Sequence, residues 1–286
     1  MRPDKRFLNQ LPSFWAHIRC LSQNLGYTVR GSGEVATFKT DDIKRGMKES
    51  NLSYEHLFDN KGDPNSFCKD LISYFKYRAN LLNSYVRPNL MNKKKARRLF
   101  LDLKRELSPK CPLPMNKQKG EKKAEAYLTC IVNMLIEKHS KGFSVDYDPR
   151  QLTTVIKNGI PIRTLARRID GAFPSSVNPI AVWEIKEYYN TTTFGSRVAD
   201  GVYESLLDGF ELEELGKEED IKILHYLFVD DYYTWWECGK SYLCRLIDIL
   251  HMGFVDEVIF GKEVINRLPK LVREWTCLLN LKDNKT

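Results

Sequence analysis

Arg168-Ile169-Asp170-Gly171, followed after twelve residues by Glu184-Ile185-Lys186, is the stretch on which the reading of the fold turns. Residues 180–186, Ile-Ala-Val-Trp-Glu-Ile-Lys, are apolar and β-branched, and the turn-rich Pro174-Ser175-Ser176-Val177-Asn178-Pro179 precedes them. That combination predicts a strand. Side chains two apart on a strand share a face, so Glu184 and Lys186 project together while Ile185 points away. A carboxylate and an ammonium within a hydrophobic strand are costly unless paired or bound to an ion. Asp170, at the end of a preceding strand over 164–169 of the same hairpin, comes alongside them.

Downstream, residues 223–229 and 255–260 read as further strands, and 197–207, 243–250 and 261–275 as helices. Upstream, Ala124, Tyr127, Leu128, Ile131 and Leu135 form one apolar stripe and predict a helix over 121–138. Three prolines and several lysines between Ser108 and Gly120 break the periodicity and mark a boundary. Before it the chain is mainly helical. Phe14, Trp15, Ile18, Leu21 and Leu25 share one helical face that stops at Gly26. A glycine turn at Arg30-Gly31-Ser32-Gly33 joins two short strands, and Thr40 is placed to cap a helix opening at Asp41-Asp42. Residues 65–107 continue the helical pattern, interrupted at Arg87-Pro88-Asn89. The expected class is α/β: a mixed central sheet flanked by helices over 111–286, joined to a basic, mainly helical region over 1–110.

Composition narrows the function classes. At 286 residues, 42% hydrophobic and 29% charged, the chain suits a soluble globular protein with a core of its own. It holds no apolar run long enough for a membrane span and no signal-peptide pattern at its start. Seven scattered cysteines without a C-x-x-C pair, and five histidines without zinc-ligand spacing, fit a reducing, cytoplasmic setting. Charge is uneven. Residues 1–120 carry 24 Lys+Arg against 11 Asp+Glu, and residues 121–286 carry 21 against 26. A polyanion-binding part attached to a carboxylate-built site has that distribution.

Two carboxylates and a lysine converging at a sheet edge suit a divalent cation and a phosphate. Mg²⁺ prefers hard oxygen ligands, keeps several waters and accepts one or two carboxylates together with phosphate oxygens. The metal activates water and stabilises charge on phosphate, and a compact ammonium can hold that water.

With these residues the chain resembles the PD-(D/E)xK nuclease superfamily, in particular type II restriction endonucleases, over roughly residues 120–260. The resemblance rests on Asp170-Gly171, Glu184-Ile185-Lys186 and the helix expected around Glu125, with Ile169 standing where the family has proline. It implies that Asp170 and Glu184 bind the metal, that the Ile185 carbonyl completes its coordination, and that Lys186 positions the attacking water. It also implies an acidic residue from the preceding helix, Glu125 or, one turn earlier, Glu121. Mg²⁺-dependent hydrolysis of double-stranded DNA to 5′-phosphate ends follows, with a homodimer to cut both strands and a DNA methyltransferase as genetic companion. A structure-specific repair or recombination nuclease, and a non-catalytic DNA-binding protein with a relic core, are the alternatives.

For DNA contact the sequence offers three segments. Lys93, Lys94, Lys95, Arg97 and Arg98 form a basic run that could neutralise phosphates, and Arg30 on its glycine turn could enter a groove. Thr191, Thr192, Thr193, Ser196 and Arg197 follow the Glu/Lys strand and lead into a helix, where hydroxyls and a helix N-terminus suit phosphate.

Overall fold

A computed structural model describes residues 1–118, 121–189 and 195–283. The helical periodicities of the first part become α1 (Lys5–Leu8), α2 (Pro12–Leu25), α3 (Thr40–Glu49) and α4 (Ser66–Leu81). On α2, Phe14, Trp15, Ile18 and Leu21 are buried as their spacing predicts, and Gly26 ends the helix at φ 90°. Thr40 is the first residue of α3 rather than its cap; the Asp42 carboxylate instead accepts the Lys39 N–H at 3.0 Å. The expected hairpin around Arg30 is short: Thr28 bridges Val35, the Val29 N–H donates to the Glu34 carbonyl at 2.8 Å and the Ala36 N–H to the Tyr27 carbonyl at 3.0 Å. These elements enclose a separate apolar cluster around Phe14, Leu71, Tyr74 and Phe75.

α4 runs on through a π-helical stretch, Leu82–Val86, into the single turn α5 (Arg87–Asn89), and the chain becomes extended at Leu90. Asn92 caps the next helix, α6 (Lys93–Leu107), by accepting the Lys95 N–H. Ala96, Phe100 and Leu103 of α6 are buried in one cluster with Leu128 and Ile131. The helix bearing the basic run therefore packs with the later part of the chain, whereas the sequence reading grouped it with the first 110 residues.

The helix expected over 121–138 is two elements. β1 (Met115–Gln118) and β2 (Glu121–Glu125) form an antiparallel hairpin, and α7 (Tyr127–His139) starts only after it. A carboxylate from another element sets that start. Glu187 accepts the N–H groups of Leu128 and Thr129 at 3.0 and 3.2 Å and the Thr129 hydroxyl at 2.7 Å, serving donors that a helix N-terminus otherwise leaves orphaned. Of the predicted apolar stripe, Tyr127, Leu128, Ile131 and Leu135 lie on α7, whereas Ala124 lies on β2.

The main sheet has the order β3-β6-β7-β8-β9, formed by β3 (Asp146–Tyr147), β6 (Gly171–Phe173), β7 (Ala181–Glu187), β8 (Leu224–Asp230) and β9 (Glu257–Phe260). A side hairpin joins β4 (Thr154–Lys157) to β5 (Ile160–Thr164). The strand expected over 164–169 is irregular there, because its donors find other partners. The Ala166 N–H meets the Glu211 carboxylate, and the Leu165 N–H meets the Thr153 carbonyl. Pairing is antiparallel from β3 through β6 to β7, then parallel from β7 through β8 to β9. The long α8 (Ser196–Glu219) and α9 (Lys240–His251) cross between the parallel strands, and α10 (Val264–Asp283) closes the chain.

Alternation along β7 fills two layers. Ala181 and Trp183 face α7 and α10, where the Trp183 and Trp275 rings stack 5.6 Å apart, whereas Val182 packs with Leu212 and Leu215 of α8. Burying one such large apolar side chain is worth roughly 1.5–3 kcal/mol. The molecule is thus α/β with a five-stranded mixed sheet between helices. The first part is locked onto it by a buried ion pair, Arg78 to Asp248 at 2.9 Å, joined by the Tyr74 hydroxyl at 2.6 Å. Among the described residues no helix is long and apolar enough to cross a membrane, and all seven cysteines are free.

Candidate active site

Because β6 and β7 are antiparallel with Gly171 opposite Trp183, Asp170 falls opposite Glu184. Gly171 is required by this register: a Cβ there would lie 2.2 Å from the Trp183 indole. The Asp170 N–H donates to Glu184 Oε1 at 3.2 Å, and the Ile185 N–H donates to Asp170 Oδ2 at 2.7 Å. Two residues on, the Lys186 ammonium sits 2.7 Å from Glu184 Oε2. The structure therefore brings together Asp170, Glu184, Lys186 and the Ile185 backbone.

Three further residues, absent from the sequence reading, complete the cluster. Glu204 of α8 lies 2.9 Å from Lys186 Nζ. Arg167, on the irregular segment before Asp170, reaches Glu184 Oε1 at 3.0 Å, Asp208 Oδ2 of α8 at 2.7 Å and Glu204 Oε2 at 3.4 Å. Gly201 of α8 makes room, since a Cβ there would lie 2.9 Å from the Tyr188 hydroxyl and 3.2 Å from Lys186 Cδ. The spacing of Gly201, Glu204 and Asp208 places all three on one helical face. The sequence pattern ends this helix at 207, whereas α8 runs on to Glu219 and so carries Asp208 on the same face.

Burial governs the charges. It works against ionised Glu184, yet Lys186 and then Arg167 outweigh it and hold the carboxyl below its ordinary value. Burial likewise opposes charged Lys186, but Glu184 and then Asp170 leave the ammonium more firmly protonated than usual. Asp208 is fully buried, and burial followed by the Glu184 charge pushes its carboxyl up to about 7. Protein packed around Asp170, and then the Glu184 charge, drive its carboxyl upward as well; its solvent-exposed side lets water temper that rise.

Asp170 also opens onto a cleft of about 700 Å³ whose walls include Thr129, Asn133, Asp146, Asp148 and Arg150. From α7, then, Thr129 and Asn133 reach this cleft. Glu125 and Glu121, expected on a helix, lie on β2 instead. The carboxylates that touch Lys186 and Arg167 are Glu184, Glu204 and Asp208.

Among the described residues, the segments expected to touch DNA are anchored beside elements that follow the carboxyl ends of β7 and β8. Met91, just before α6, donates its N–H to Asp230 at the end of β8, and all five basic residues of the run are exposed. The turn carrying exposed Arg30 is held by Lys240, whose ammonium meets the Gly33 carbonyl at 2.6 Å. Lys240 also lies over the Trp236 ring at 4.6 Å, and the neighbouring Trp235 indole donates to the Lys186 carbonyl at 3.2 Å. Ser196 and Arg197 open α8, both exposed, with the Arg197 carbonyl accepting from the Tyr188 hydroxyl. Thr191, Thr192 and Thr193 lie outside the described residues.

For a metal, the donor chemistry fits a hard dication: the available ligands are carboxylate oxygens, and four carboxyl groups, Asp170, Glu184, Glu204 and Asp208, surround two cationic side chains. Among the described residues, however, no three acidic, histidine or cysteine side chains stand ready as a metal-holding group.

Residues 91–275 match the family described as Domain of unknown function (DUF7687), and residues 1–85 match Domain of unknown function (DUF7690). The first match spans well over half of the chain, which therefore belongs to the DUF7687 family. Neither description names an activity, and no curated protein and no solved structure gives a significant match.

Proposed function

We propose that this DUF7687 member is a Mg²⁺-dependent DNA endonuclease of PD-(D/E)xK type that acts as a type II restriction enzyme. One observation carries the reading: Asp170 and Glu184 face each other across antiparallel β6 and β7, with the Lys186 ammonium 2.7 Å from Glu184. Its support is positional as well. β7 is the strand at which pairing changes from antiparallel to parallel, and open α/β sheets place ligands beyond the carboxyl ends of their strands. The exposed basic run on α6 begins at that same edge.

In this reading Asp170 and Glu184, with the Ile185 carbonyl, would hold Mg²⁺. When bound, the ion supplies positive charge to the scissile phosphate and lowers the pKa of a bound water. Lys186, kept protonated by Glu184 and Glu204, would orient an attacking water by hydrogen bonding. The basic surface holds the DNA backbone, and a homodimer would present one such centre to each strand.

Incubating the purified chain with supercoiled plasmid, with Mg²⁺ or with chelator, tests the reading. Mg²⁺-dependent cleavage that Lys186→Ala loses is expected. Discrete fragments identify sequence-specific restriction, whereas a smear or structure-dependent nicking identifies a repair-type nuclease. No cleavage by the parent chain, or undiminished cleavage by Lys186→Ala, overturns it.

A further inference from the structure

The Arg167 guanidinium is enclosed by three carboxylates from two elements: Glu184 of β7, and Glu204 and Asp208 of α8. Asp208 is fully buried, and its Oδ1 has no hydrogen-bond partner among the described residues. A buried, unserved carboxylate oxygen costs free energy on its own account. Arg167 meets the other oxygen of Asp208 through Nη1 and reaches Glu184 and Glu204 through Nη2, so the contacts of its planar fork leave that oxygen unserved. Arg167 itself is about a quarter exposed and sits on a segment held by side chains rather than by a strand ladder.

We propose that Glu204 and Asp208 belong to the divalent-cation site together with Glu184, and that Arg167 holds the cation's place until a DNA phosphate draws the guanidinium away. This rests on the nuclease reading of Asp170, Glu184 and Lys186. A guanidinium and a hard dication compete for the same oxygens, and a planar fork has a natural second partner in a phosphate, which it binds with two parallel hydrogen bonds. Removing Arg167 from the carboxylates frees Glu184, Glu204 and both oxygens of Asp208 for an ion. Cation binding and DNA binding then favour each other by linkage, and the free protein is guarded against loading a reactive metal without substrate.

The test uses Ca²⁺ as the probe, titrated calorimetrically into the full chain without DNA. Arg167→Gln should bind Ca²⁺ at least tenfold more tightly than the parent, and adding Asp208→Asn to that variant should abolish the gain. Should Arg167→Gln fold poorly, Arg167→Lys serves, since a single ammonium on a shorter reach cannot span three carboxylates. Its thermal midpoint should rise on Ca²⁺ addition by about 2–4 °C more than the parent's, the shift a tenfold difference in affinity gives. Ca²⁺ affinity and midpoint gain equal to the parent's in both variants overturn the inference. If the parent still cleaves plasmid with Mg²⁺ in that case, the nuclease reading stands and only the role of Arg167 falls. If the parent neither cleaves nor binds Ca²⁺ in the presence of duplex DNA, both fall together.

Discussion

Asp170 and Glu184 are tied to each other through the backbone, the Asp170 amide donating to Glu184 Oε1 while the Asp170 carboxylate accepts from the amide that follows Glu184. Their separation is therefore set by strand register rather than by flexible side chains, which is what a site needs if it is to hold reacting atoms within a fraction of an ångström. Replacing either residue should remove activity for a local reason. Asp170→Asn, Glu184→Gln and Lys186→Ala are each expected to lower Mg²⁺-dependent plasmid cleavage by roughly a hundredfold or more, the usual worth of a group acting on the reacting water or its metal. Glu184→Ala is a poorer probe, because it leaves Lys186 and Arg167 without their shared partner; breaking a buried ion pair in that way costs roughly 3–5 kcal/mol. Cleavage rates beside circular dichroism separate the two effects.

Gly171 offers a test of the register without touching a charged group. Its Cβ would stand 2.2 Å from the Trp183 indole, which is itself stacked on Trp275. Gly171→Ala must displace a fully buried ring or part β6 from β7, and overpacking of a tight core costs about 1–3 kcal/mol. Urea unfolding should show a loss in that range, with cleavage reduced beyond what the lost stability explains. A variant as stable and active as the parent would mean that the ring has room to move.

Much of this arrangement could be read from the chain before any coordinates. The β7 and β8 strands follow from short apolar, β-branched runs, and the meeting of Asp170, Glu184 and Lys186 from the two-residue period of a strand and a turn-rich connection. What was not legible depends on distant partners. β2 and α7 were fused into one helix, because the residue that sets the start of α7 is Glu187, some sixty positions later. Residues 164–169 read as a strand, yet the Ala166 amide within them is served by the Glu211 side chain, and that of Asp170 just after them by Glu184, partners that local pattern does not reveal. Arg167, Glu204 and Asp208 are illegible in the sequence for the same reason: each has the local setting of an ordinary surface charge until α8 is laid over β7.

A buried carboxylate outside the cluster gives the pH dependence of stability. Asp230 is fully buried at the end of β8, where it accepts the Met91 and Asp231 N–H groups and the Tyr189 hydroxyl. Burial pushes its carboxyl up to about 8, against an unfolded value near 3.8. The folded state therefore holds this proton more tightly than the unfolded chain. Its stabilising contribution is complete below about pH 4, declines as pH rises, and is lost through pH 8. Asp230→Asn keeps an acceptor for Met91 and removes the titration. It should flatten the fall in unfolding free energy between pH 5 and pH 9, by on the order of 2–5 kcal/mol. Denaturant midpoints measured across that range check it, and an unchanged slope would assign the dependence elsewhere.

Ca²⁺ should support DNA binding without cutting. It satisfies carboxylates in a looser and larger coordination shell than the near-octahedral one Mg²⁺ demands, so the phosphate would be held without the geometry for attack. Gel shifts should tighten on Ca²⁺ addition while plasmid stays intact, and Mg²⁺ added afterwards should release cleavage. Ca²⁺-supported cutting, or no gain in affinity, contradicts the assignment of the carboxylates to a phosphate-bridging cation.

The last prediction concerns the basic run. Lys93, Lys94, Lys95, Arg97 and Arg98 are all exposed on α6, which buries Ala96, Phe100 and Leu103 on its other face and begins where Met91 meets the end of β8. Arg98 stands 3.9 Å from Asp102, an exposed pair at the edge of contact, so little holds its charge from a passing phosphate. Duplex binding releases roughly 0.9 counterions for each phosphate neutralised. If about two or three of these five side chains touch the backbone, changing all five to Gln should reduce the slope of log K against log salt by about two to three units. Preference among DNA sequences should persist, because phosphate contacts position a protein without reading bases. Fluorescence anisotropy over a salt series, on specific and scrambled duplexes, measures both quantities. An unchanged slope would make the run solvated surface, whereas a retained slope with lost preference would make these side chains base readers. In either case the backbone-tracking surface would move to the start of α8, at Ser196 and Arg197.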